Sequence, residues 1–196
     1  MEKWYILRVL IACEFSGIVR DAFIEQGHDA VSCDLLPTDS PGPHYQGDVF
    51  DIIDDGWDLM VAHPPCTYIC NGGMNWLNRR PEWRFRRELA VGFFMALIEA
   101  PIEKIAVENP IGHMSTRYRK PDQIIHPWMF GHPYKKDTCL WLKNLHNLQP
   151  TCIVEDFDLK KLDFWSTDRN PNGRSLKSIT YHGIAQAMAE QWSGIY

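Results

Sequence analysis

The apolar residues of this chain fall into short continuous runs that are separated by stretches with helical spacing. Four of these runs are bounded by turn residues and predict buried strands, at residues 5–12, 30–33, 57–62 and 104–107. Residues 18–26 and 82–100 carry apolar side chains at helical spacing, and Gly27 predicts the end of the first helix. Strands that alternate with helices predict an α/β fold with a mostly parallel sheet, right-handed connections and helices on both faces.

The pattern also makes finer predictions about individual segments. Residues 37–47 are rich in proline and glycine and predict a loop, and 48–51 predict a turn or the start of a helix. The second helix is expected to present one apolar face, formed by Leu89, Phe93, Ala96 and Leu97. Glu108-Asn109-Pro110 is expected to break the fourth strand, because proline lacks the amide that a sheet needs.

The second half of the chain is less regular. Strands are predicted at 124–130 and 138–142, loops with a short amphipathic piece at 150–178, and a closing helix at 183–192.

Composition is that of an ordinary globular protein. The chain has 196 residues, 45% of them hydrophobic and 23% charged, which suits a single domain spanning 1–196. No apolar run approaches the length of a membrane span and no signal-peptide pattern opens the chain, so no membrane partner is expected. Six scattered cysteines predict reduced thiols in a cytoplasmic protein. His63, Cys66 and Cys70 lack a fourth ligand at zinc spacing, so no metal site is predicted.

The charge distribution limits the partners. The net charge of −5 argues against strong unspecific binding to nucleic acid, which needs a basic surface. The basic residues nevertheless cluster at 79–87, 117–120 and 135–136. Each cluster alone is most simply a solvated face, but a local positive field can hold an anion despite the net charge.

The candidate chemistry begins at Val61-Ala-His-Pro-Pro-Cys66, where an apolar run ends at two prolines. The prolines stop the strand, so Cys66 is predicted on a stiff loop at its carboxyl end, where open α/β sheets bind ligands. Glu108 ends the next predicted strand and is expected to face the same crevice. A thiol in that place is a candidate nucleophile, although Glu108 alone could equally be a solvated carboxylate.

Candidate cofactor residues lie earlier in the chain. The first strand runs through Cys13-Glu14-Phe15-Ser16-Gly17 into a helix, and a glycine at such a turn lets a ligand approach the backbone. Asp34 ends the second predicted strand, where an acidic residue often binds a ribose hydroxyl. Alone, these features could equally be a tight turn and a loop carboxylate, and Asp48 is more simply an N-cap.

Taken together and in order, these motifs resemble the cytosine-C5 DNA methyltransferase family. The matching segments are Phe15-Ser16-Gly17-Ile18 for Phe-x-Gly-x-Gly (with Val19 at the second glycine), Asp34 for the ribose ligand, Asp48 for the adenine contact, Pro64-Pro65-Cys66 for Pro-Cys, Glu108-Asn109-Pro110 for Glu-Asn-Val, and Tyr181-His-Gly183-Ile with the final helix for the last motif.

The resemblance implies a Rossmann-like, S-adenosylmethionine-dependent fold and a site. Cys66 would be the nucleophile that adds to carbon 6 of cytosine, and Glu108 would hydrogen-bond or protonate the N3 edge. Arg117 or Arg119, which resemble part of a Gln-x-Arg-x-Arg motif, would hold the base carbonyl or a phosphate. The cofactor S-adenosyl-L-methionine would contact Phe15, Ser16, Gly17, Ile18, Asp34, Asp48 and Pro65.

This chemistry carries two expectations about ionisation. Nearby positive charge or a helix end should lower the pKa of Cys66, because the thiolate is the reactive form. Partial burial should keep Glu108 protonated or sharing a proton.

The chain departs from the family in its length. The region 111–180 is too short for most target-recognition domains, so the resemblance is to compact, minimal members. The expected division is a cofactor and catalytic core at 1–110, a reduced substrate-side region at 111–180 and the closing helix at 181–196. Three functions remain open: methylation of cytosine in DNA, C5 modification of a free pyrimidine nucleotide, and nucleic-acid binding without catalysis. The target sequence, the base that removes the C5 proton and the oligomeric state, a homodimer included, are not determined.

Overall fold

The computed structural model describes residues 5–71, 80–155 and 178–194. Seven strands form one sheet: β1 (Arg8–Ala12), β2 (Asp29–Asp34), β3 (His44–Gln46), β4 (Leu59–Ala62), β5 (Lys104–Pro110), β6 (Gln123–Ile125) and β7 (Thr138–Lys143). The described helices are α1 (Ile18–Glu25), α2 (Pro81–Ile98), α3 (Met114–Arg117) and α4 (His182–Trp192), with 3-10 turns at Val49–Asp51 and Pro127–Met129.

The sheet has the strand order β3-β2-β1-β4-β5-β7-β6. The first five strands are parallel, whereas β7 is antiparallel to both β5 and β6. The predicted α/β fold with a mostly parallel sheet is therefore confirmed. From β1 the chain builds outward to β2 and β3, then crosses to β4 on the other side. The carboxyl ends of β1 and β4 thus flank the point where open α/β sheets bind ligands.

Strand β1 shows why both faces of the sheet must be covered. Val9 and Ile11 belong to a buried cluster with residues of α1 and α4, while Leu10 and Ala12 belong to a second cluster with residues of α2. Alternate side chains of a strand point to opposite faces, so a strand buried on both sides reads as one continuous apolar run. The predicted helices on both faces are confirmed.

Three strands differ from the prediction. In place of the predicted strand 124–130, the short β6 (Gln123–Ile125) is followed by the 3-10 turn Pro127–Met129. Strand β5 does not break at Glu108 but continues to Pro110, because β7 pairs with it and sets Glu108 opposite Leu140 and Pro110 opposite Thr138. Proline is accepted there because it is the last residue of the strand. The predicted loop 37–47 contains the short edge strand β3, which pairs with β2.

The buried face of α2 also differs from the prediction. Leu89 is 58% exposed and Ala96 is exposed, whereas Val91, Phe94 and Ile98 are buried together with the predicted Leu97. The helix has more apolar positions than one face holds, and packing against the sheet selects among them. Helices α1 and α4 agree with the predicted ranges 18–26 and 183–192, whereas α3 was not predicted. Most of the predicted loop region 150–178 lies outside the described residues.

Candidate active site

Cys66 lies on a turn beyond the carboxyl end of β4. The backbone N–H of His63 donates to the carbonyl of Ala12 at 2.9 Å, so the chain is still tied to β1 one residue after the strand. Two prolines follow, and the Cys66 carbonyl then accepts from the amides of Ile69 (3.0 Å) and Cys70 (2.9 Å). This turn leaves the Cys66 residue half-buried.

The turn is fastened to the end of β5. The side chain of Asn109 is buried, and its Nδ2 donates to the Pro64 carbonyl at 2.8 Å. The amide of His113 donates to the Ile69 carbonyl at 2.7 Å. A Cβ at Gly112 would collide with that same carbonyl, so the close approach requires glycine. The Glu-Asn-Pro segment thus holds the loop that carries the candidate nucleophile.

Glu108 forms a pair with His63, a residue to which the sequence assigns no role beyond the rejected metal site. Nδ1 of His63 lies 3.1 Å from Oε2 of Glu108, and the two side chains are only 7% and 17% exposed. Burial by itself raises the pKa of Glu108, but the hydrogen bond from His63 and the positive charge of Lys136 outweigh it and leave the pKa lowered. The lowered pKa argues against a fully protonated Glu108, whereas the hydrogen bond to His63 fits the other expectation, a carboxyl group that shares a proton.

The pKa of Cys66 is also shifted in the direction opposite to the expectation. A hydrogen bond with Cys70 raises the pKa of the Cys66 thiol, burial and the negative charges of Cys70 and Glu108 raise it further, and only Lys136 lowers it. The protein as described therefore holds Cys66 as a thiol. These mutual effects place Cys66, Glu108 and Lys136 within electrostatic reach of one another.

Sequence reasoning missed Lys136 as a site residue. It lies two residues before Thr138, the first residue of β7, which pairs with Pro110 at the end of β5. Because β7 is antiparallel, its beginning lies at the edge of the sheet where β4 and β5 end. The only signal in the sequence was the basic pair 135–136, which does not reveal the direction of the strand that follows.

The turn after β1 is organised by a buried carboxylate. Glu14 is 5% exposed, and its oxygens accept from the amides of Val19 (2.7 Å) and Arg20 (3.2 Å) and from the hydroxyl of Ser16 (3.1 Å). The free amides at the start of α1 are thus satisfied from within the chain. Gly17, at a φ of +78°, could not carry a side chain here, since a Cβ would collide with the Arg20 guanidinium.

A small cavity lies between this turn and the segment before α4. Its lining residues are Cys13, Glu14, Phe15, Ser16, His63, Ser178 and Thr180. Of the predicted cofactor residues, Phe15 and Ser16 therefore reach this cavity together. Gly17 and Ile18 begin α1 beside it, and Pro65 is exposed on the Cys66 loop.

The two predicted acidic cofactor ligands lie at the neighbouring strand ends. Asp34 ends β2 and its Oδ1 accepts from the amide of Leu36 at 2.9 Å, while Asp48 caps the 3-10 turn by accepting from Phe50 at 3.1 Å. Burial, followed by the charges of Asp34 and Asp48 among others, raises the pKa of Cys33 to about 12 and also raises that of Cys13. The potential at the ends of β1 and β2 is therefore negative.

The two candidate arginines contact other partners. Nη2 of Arg117 is 3.7 Å from Glu88 of α2, and its side chain is 54% exposed. Nη1 of Arg119 pairs with Asp122 at 2.7 Å and Nη2 donates to the Leu142 carbonyl at 3.0 Å. Leu142 pairs with Ala106, two residues before Glu108 on β5. The guanidinium of Arg119 is therefore held by Asp122 and by a carbonyl of β7, and Arg119 has no role in the proposed site.

Basic and aromatic side chains collect beside the Cys66 loop. Nη1 of Arg86 donates to the Tyr68 hydroxyl at 2.8 Å, and the Tyr68 ring meets Trp83 edge-on with centroids 4.8 Å apart. Phe85 is 69% exposed on the same helix. We use the name arginine face for the arginines at the start of α2 together with Arg117, which lies 3.7 Å from Glu88 of that helix: Arg80, Arg84, Arg86, Arg87 and Arg117. Arg79, which the sequence groups with them, lies outside the described residues.

The described part of the chain shows neither a cluster of metal ligands nor a membrane-spanning helix. No three histidine, cysteine or carboxylate side chains among the described residues converge as metal ligands would. Within 5–71, 80–155 and 178–194, no helix combines the length and the apolar character needed to cross a membrane.

Comparison with known proteins finds similarity among solved structures. No family model matches this chain, and no curated protein matches it. Among solved structures, a triple mutant of DNMT2 from Spodoptera frugiperda aligns with a TM-score of 0.43 and 16% sequence identity, over 80% of this chain and 56% of that chain. The chain thus spans little more than half of that protein. The function proposed below is accordingly built from the geometry of the site and the motifs of the sequence.

Proposed function

We propose that this protein transfers a methyl group from S-adenosylmethionine to carbon 5 of cytosine in DNA, through a covalent adduct with Cys66. The observation that carries the proposal is the electrostatic coupling of Cys66, Glu108 and Lys136 at the carboxyl ends of β4 and β5. A nucleophile, a hydrogen-bonding carboxylate and a cation within electrostatic reach of one another are the groups that covalent activation of a pyrimidine needs.

The residues beside β1 fit an adenosyl cofactor that carries no phosphate. The start of α1, which in dinucleotide-binding folds receives a pyrophosphate, is capped here by Glu14. The carboxylates of Asp34 and Asp48 add negative charge, which would repel a phosphate but favours hydroxyl donors and a cationic sulfonium. Asp34, at the end of β2, would take the ribose hydroxyls. When bound, S-adenosylmethionine supplies the electrophilic methyl group.

Cys66 would act as the nucleophile. Its thiolate adds to carbon 6 of the base, and the electrons displaced from the ring double bond make carbon 5 able to attack the methyl group. Because the protein by itself holds Cys66 as a thiol, the thiolate must form after the substrate binds.

Glu108 links binding of the base to that activation. As a carboxylate it accepts a hydrogen bond from the 4-amino group of cytosine, and sharing a proton with N3 stabilises the adduct. Each proton that Glu108 shares also reduces one of the negative charges that raise the pKa of Cys66. Binding of the base therefore helps to convert the Cys66 thiol into the reactive thiolate.

The arginine face favours DNA as the substrate. Arg84 and Arg86 are exposed and can neutralise phosphates, while Tyr68 and Trp83 offer stacking surfaces close to Cys66. A flipped cytosine would have to leave the duplex to reach the thiol, at a cost of a few kcal/mol. The net charge of −5 and the short region 111–180 favour the second candidate, a free pyrimidine nucleotide as the substrate of the same site.

The test uses 5-fluorocytosine, which traps the adduct because its fluorine cannot leave as a proton does. Wild-type protein and cofactor are incubated with 5-fluorocytosine in duplex DNA, in single-stranded DNA and as the free nucleotide, and the adduct is mapped by peptide mass. We expect an adduct on Cys66 with DNA, absent in Cys66→Ala and retained in Cys152→Ala, a control at an exposed thiol. An adduct with the nucleotide alone would favour the second candidate, and none with any substrate would refute both.

A separate comparison tests the arginine face. Arg84→Glu reverses a charge on it, and Lys104→Glu makes the same change at the amino end of β5, the opposite edge of the sheet. We expect Arg84→Glu alone to weaken DNA binding and to reduce the dependence of that binding on salt, since each phosphate contact releases counterions. Equal effects of the two variants would exclude a local DNA-binding surface.

A further inference from the structure

His63 has one ring nitrogen bound and the other buried without a partner. Nδ1 meets Glu108 at 3.1 Å, whereas Nε2 is inaccessible to solvent and has no hydrogen-bond partner among the described residues. The side chain is 7% exposed, and a buried polar atom left unpaired costs about 1–3 kcal/mol. An unsatisfied group at the switch point of an α/β sheet indicates a ligand or reaction role.

The surroundings place His63 beside the turn after β1. His63 lines the cavity formed with Cys13, Glu14 and Ser16, the turn to which the proposed function assigns the cofactor. Its other nitrogen faces Glu108, to which the proposed function assigns the pyrimidine. The imidazole of His63 therefore lies between the residues assigned to the cofactor and the carboxylate assigned to the pyrimidine. Methyl transfer requires carbon 5 of the base to lie between cofactor and carboxylate as well.

The pairing with Glu108 also fixes the protons of the ring. Burial alone would raise the pKa of Glu108, but the hydrogen bond with His63 outweighs burial and the pKa is lowered. The carboxylate is therefore ionised and can only accept hydrogen bonds. Nδ1 must then carry the proton, and in the neutral ring Nε2 holds a lone pair. A carboxylate that orients a histidine in this way also stabilises the imidazolium that forms when Nε2 takes a proton.

We propose that His63 is the base that removes the C5 proton after methylation, an inference that rests on the proposed function. In this step the C5–H bond breaks and its proton passes to Nε2. The electron pair of that bond forms the C5–C6 double bond, the C6–S bond breaks, and Cys66 leaves as the thiolate. The step needs no further reactant, because the imidazolium later returns its proton to solvent.

The other groups around the cavity are unsuited to this step. Glu14 is engaged by the amides of Val19 and Arg20. Burial raises the pKa of Cys13, which therefore remains a protonated thiol. Outside this lining, Lys136 interacts electrostatically with Glu108, and a lysine ammonium has no lone pair to receive a proton.

The test compares His63→Asn with wild type on two substrates. The asparagine amide can keep a donor near the position of Nδ1, toward Glu108, but has no basic nitrogen at the position of Nε2. With ordinary cytosine DNA we expect turnover to fall about 10²- to 10⁴-fold, the usual contribution of a positioned base, and the methylated Cys66 adduct to accumulate in intact-protein mass spectra. With 5-fluorocytosine DNA, which has no C5 proton to remove, the trapping rate should stay within about threefold of wild type, far less than loss of a base would cost.

His63→Gln provides a second variant in case His63→Asn does not fold, and it carries the same expectation. Failure of the wild-type protein to trap any 5-fluoropyrimidine would refute the proposed function. Normal turnover in a folded His63 variant, or loss of trapping together with turnover, would overturn the role of His63 while leaving Cys66 as the nucleophile.

Discussion

Asn109 donates a hydrogen bond of 2.8 Å from Nδ2 to the carbonyl of Pro64, across the gap between β5 and the loop that carries Cys66. The residues on either side of this bond are the functional candidates: Glu108 precedes Asn109, and Cys66 follows Pro64 by two positions. The bond therefore sets the distance between the nucleophile and the carboxylate. The same amide also donates to the Glu108 carbonyl at 3.0 Å, which fixes its own orientation.

Loss of this bond should loosen the loop. We expect Asn109→Ala to lower the free energy of unfolding by about 1–3 kcal/mol, because the Pro64 carbonyl is left buried without its donor. The rate of 5-fluorocytosine trapping should fall as well, since Cys66 loses its fixed position. Urea unfolding and trapping kinetics measure the two effects. Asn147→Ala, at an exposed asparagine, is the control and should change neither. Equal stability of the two variants would contradict the role of Asn109.

The cap on α1 predicts a charge effect that depends on position. Glu14→Gln keeps the shape of the side chain but removes the negative charge that faces the amides of Val19 and Arg20. We expect it to lower the free energy of unfolding by about 1–2 kcal/mol, since the charge acts on the positive end of the helix. Glu25→Gln makes the same change at the exposed carboxyl end of α1, and it should be neutral or slightly stabilising. Urea unfolding of both variants tests this, and a neutral Glu14→Gln would refute the cap.

Glu108 should make stability depend on acidic pH. Its pKa in the folded protein lies below the ordinary value of 4.5, so its contribution is fully present above pH 4.5 and is lost as the pH falls through the folded pKa. The difference in unfolding free energy between wild type and Glu108→Gln should therefore be constant from pH 5 to 7 and move against wild type below about 4.5. Urea titrations at a series of pH values measure this. A difference that stays constant down to pH 3 would show that Glu108 is not held as a carboxylate.

The thiol of Cys66 should react slowly in the free protein. Its pKa is raised first by the hydrogen bond with Cys70, so alkylation by iodoacetamide should require a higher pH than an ordinary thiol needs. Cys70→Ala removes that bond and should shift the alkylation profile of Cys66 toward lower pH, whereas Lys136→Met should shift it toward higher pH. Peptide mass spectrometry follows each site, with the exposed Cys152 as an internal reference. Unchanged profiles in both variants would refute the proposed environment of Cys66.

Local patterns were sufficient for most of the fold. Strands buried on both faces must be apolar throughout, so β1, β4 and most of β5 were visible as continuous runs, and the amphipathic spacing of α1 and α4 was equally direct. The order of the strand ends also predicted that Cys66 and Glu108 share one edge of the sheet. That prediction needed only the parallel direction of β4 and β5, which a crossover helix requires.

Long-range pairing was not visible in the sequence. The extension of β5 through Pro110 depends on β7, and the position of Lys136 depends on the antiparallel direction of β7. The buried face of α2 was likewise chosen by contact with the sheet, since several faces of the helix are apolar enough to serve.

The sequence by itself determined the layers of the fold, and it indicated Cys66 and Glu108 as the candidate nucleophile and carboxylate, because periodicity and the ends of the strands point to them. Only the tertiary structure decided the ionisation of the site. The hydrogen bond from His63 to Glu108 and the charge of Lys136 join residues from separate elements, and the hydrogen bond between Cys66 and Cys70 forms within the turn after β4. A pKa depends on burial and on charges a few ångströms away, and neither quantity exists until the chain has folded.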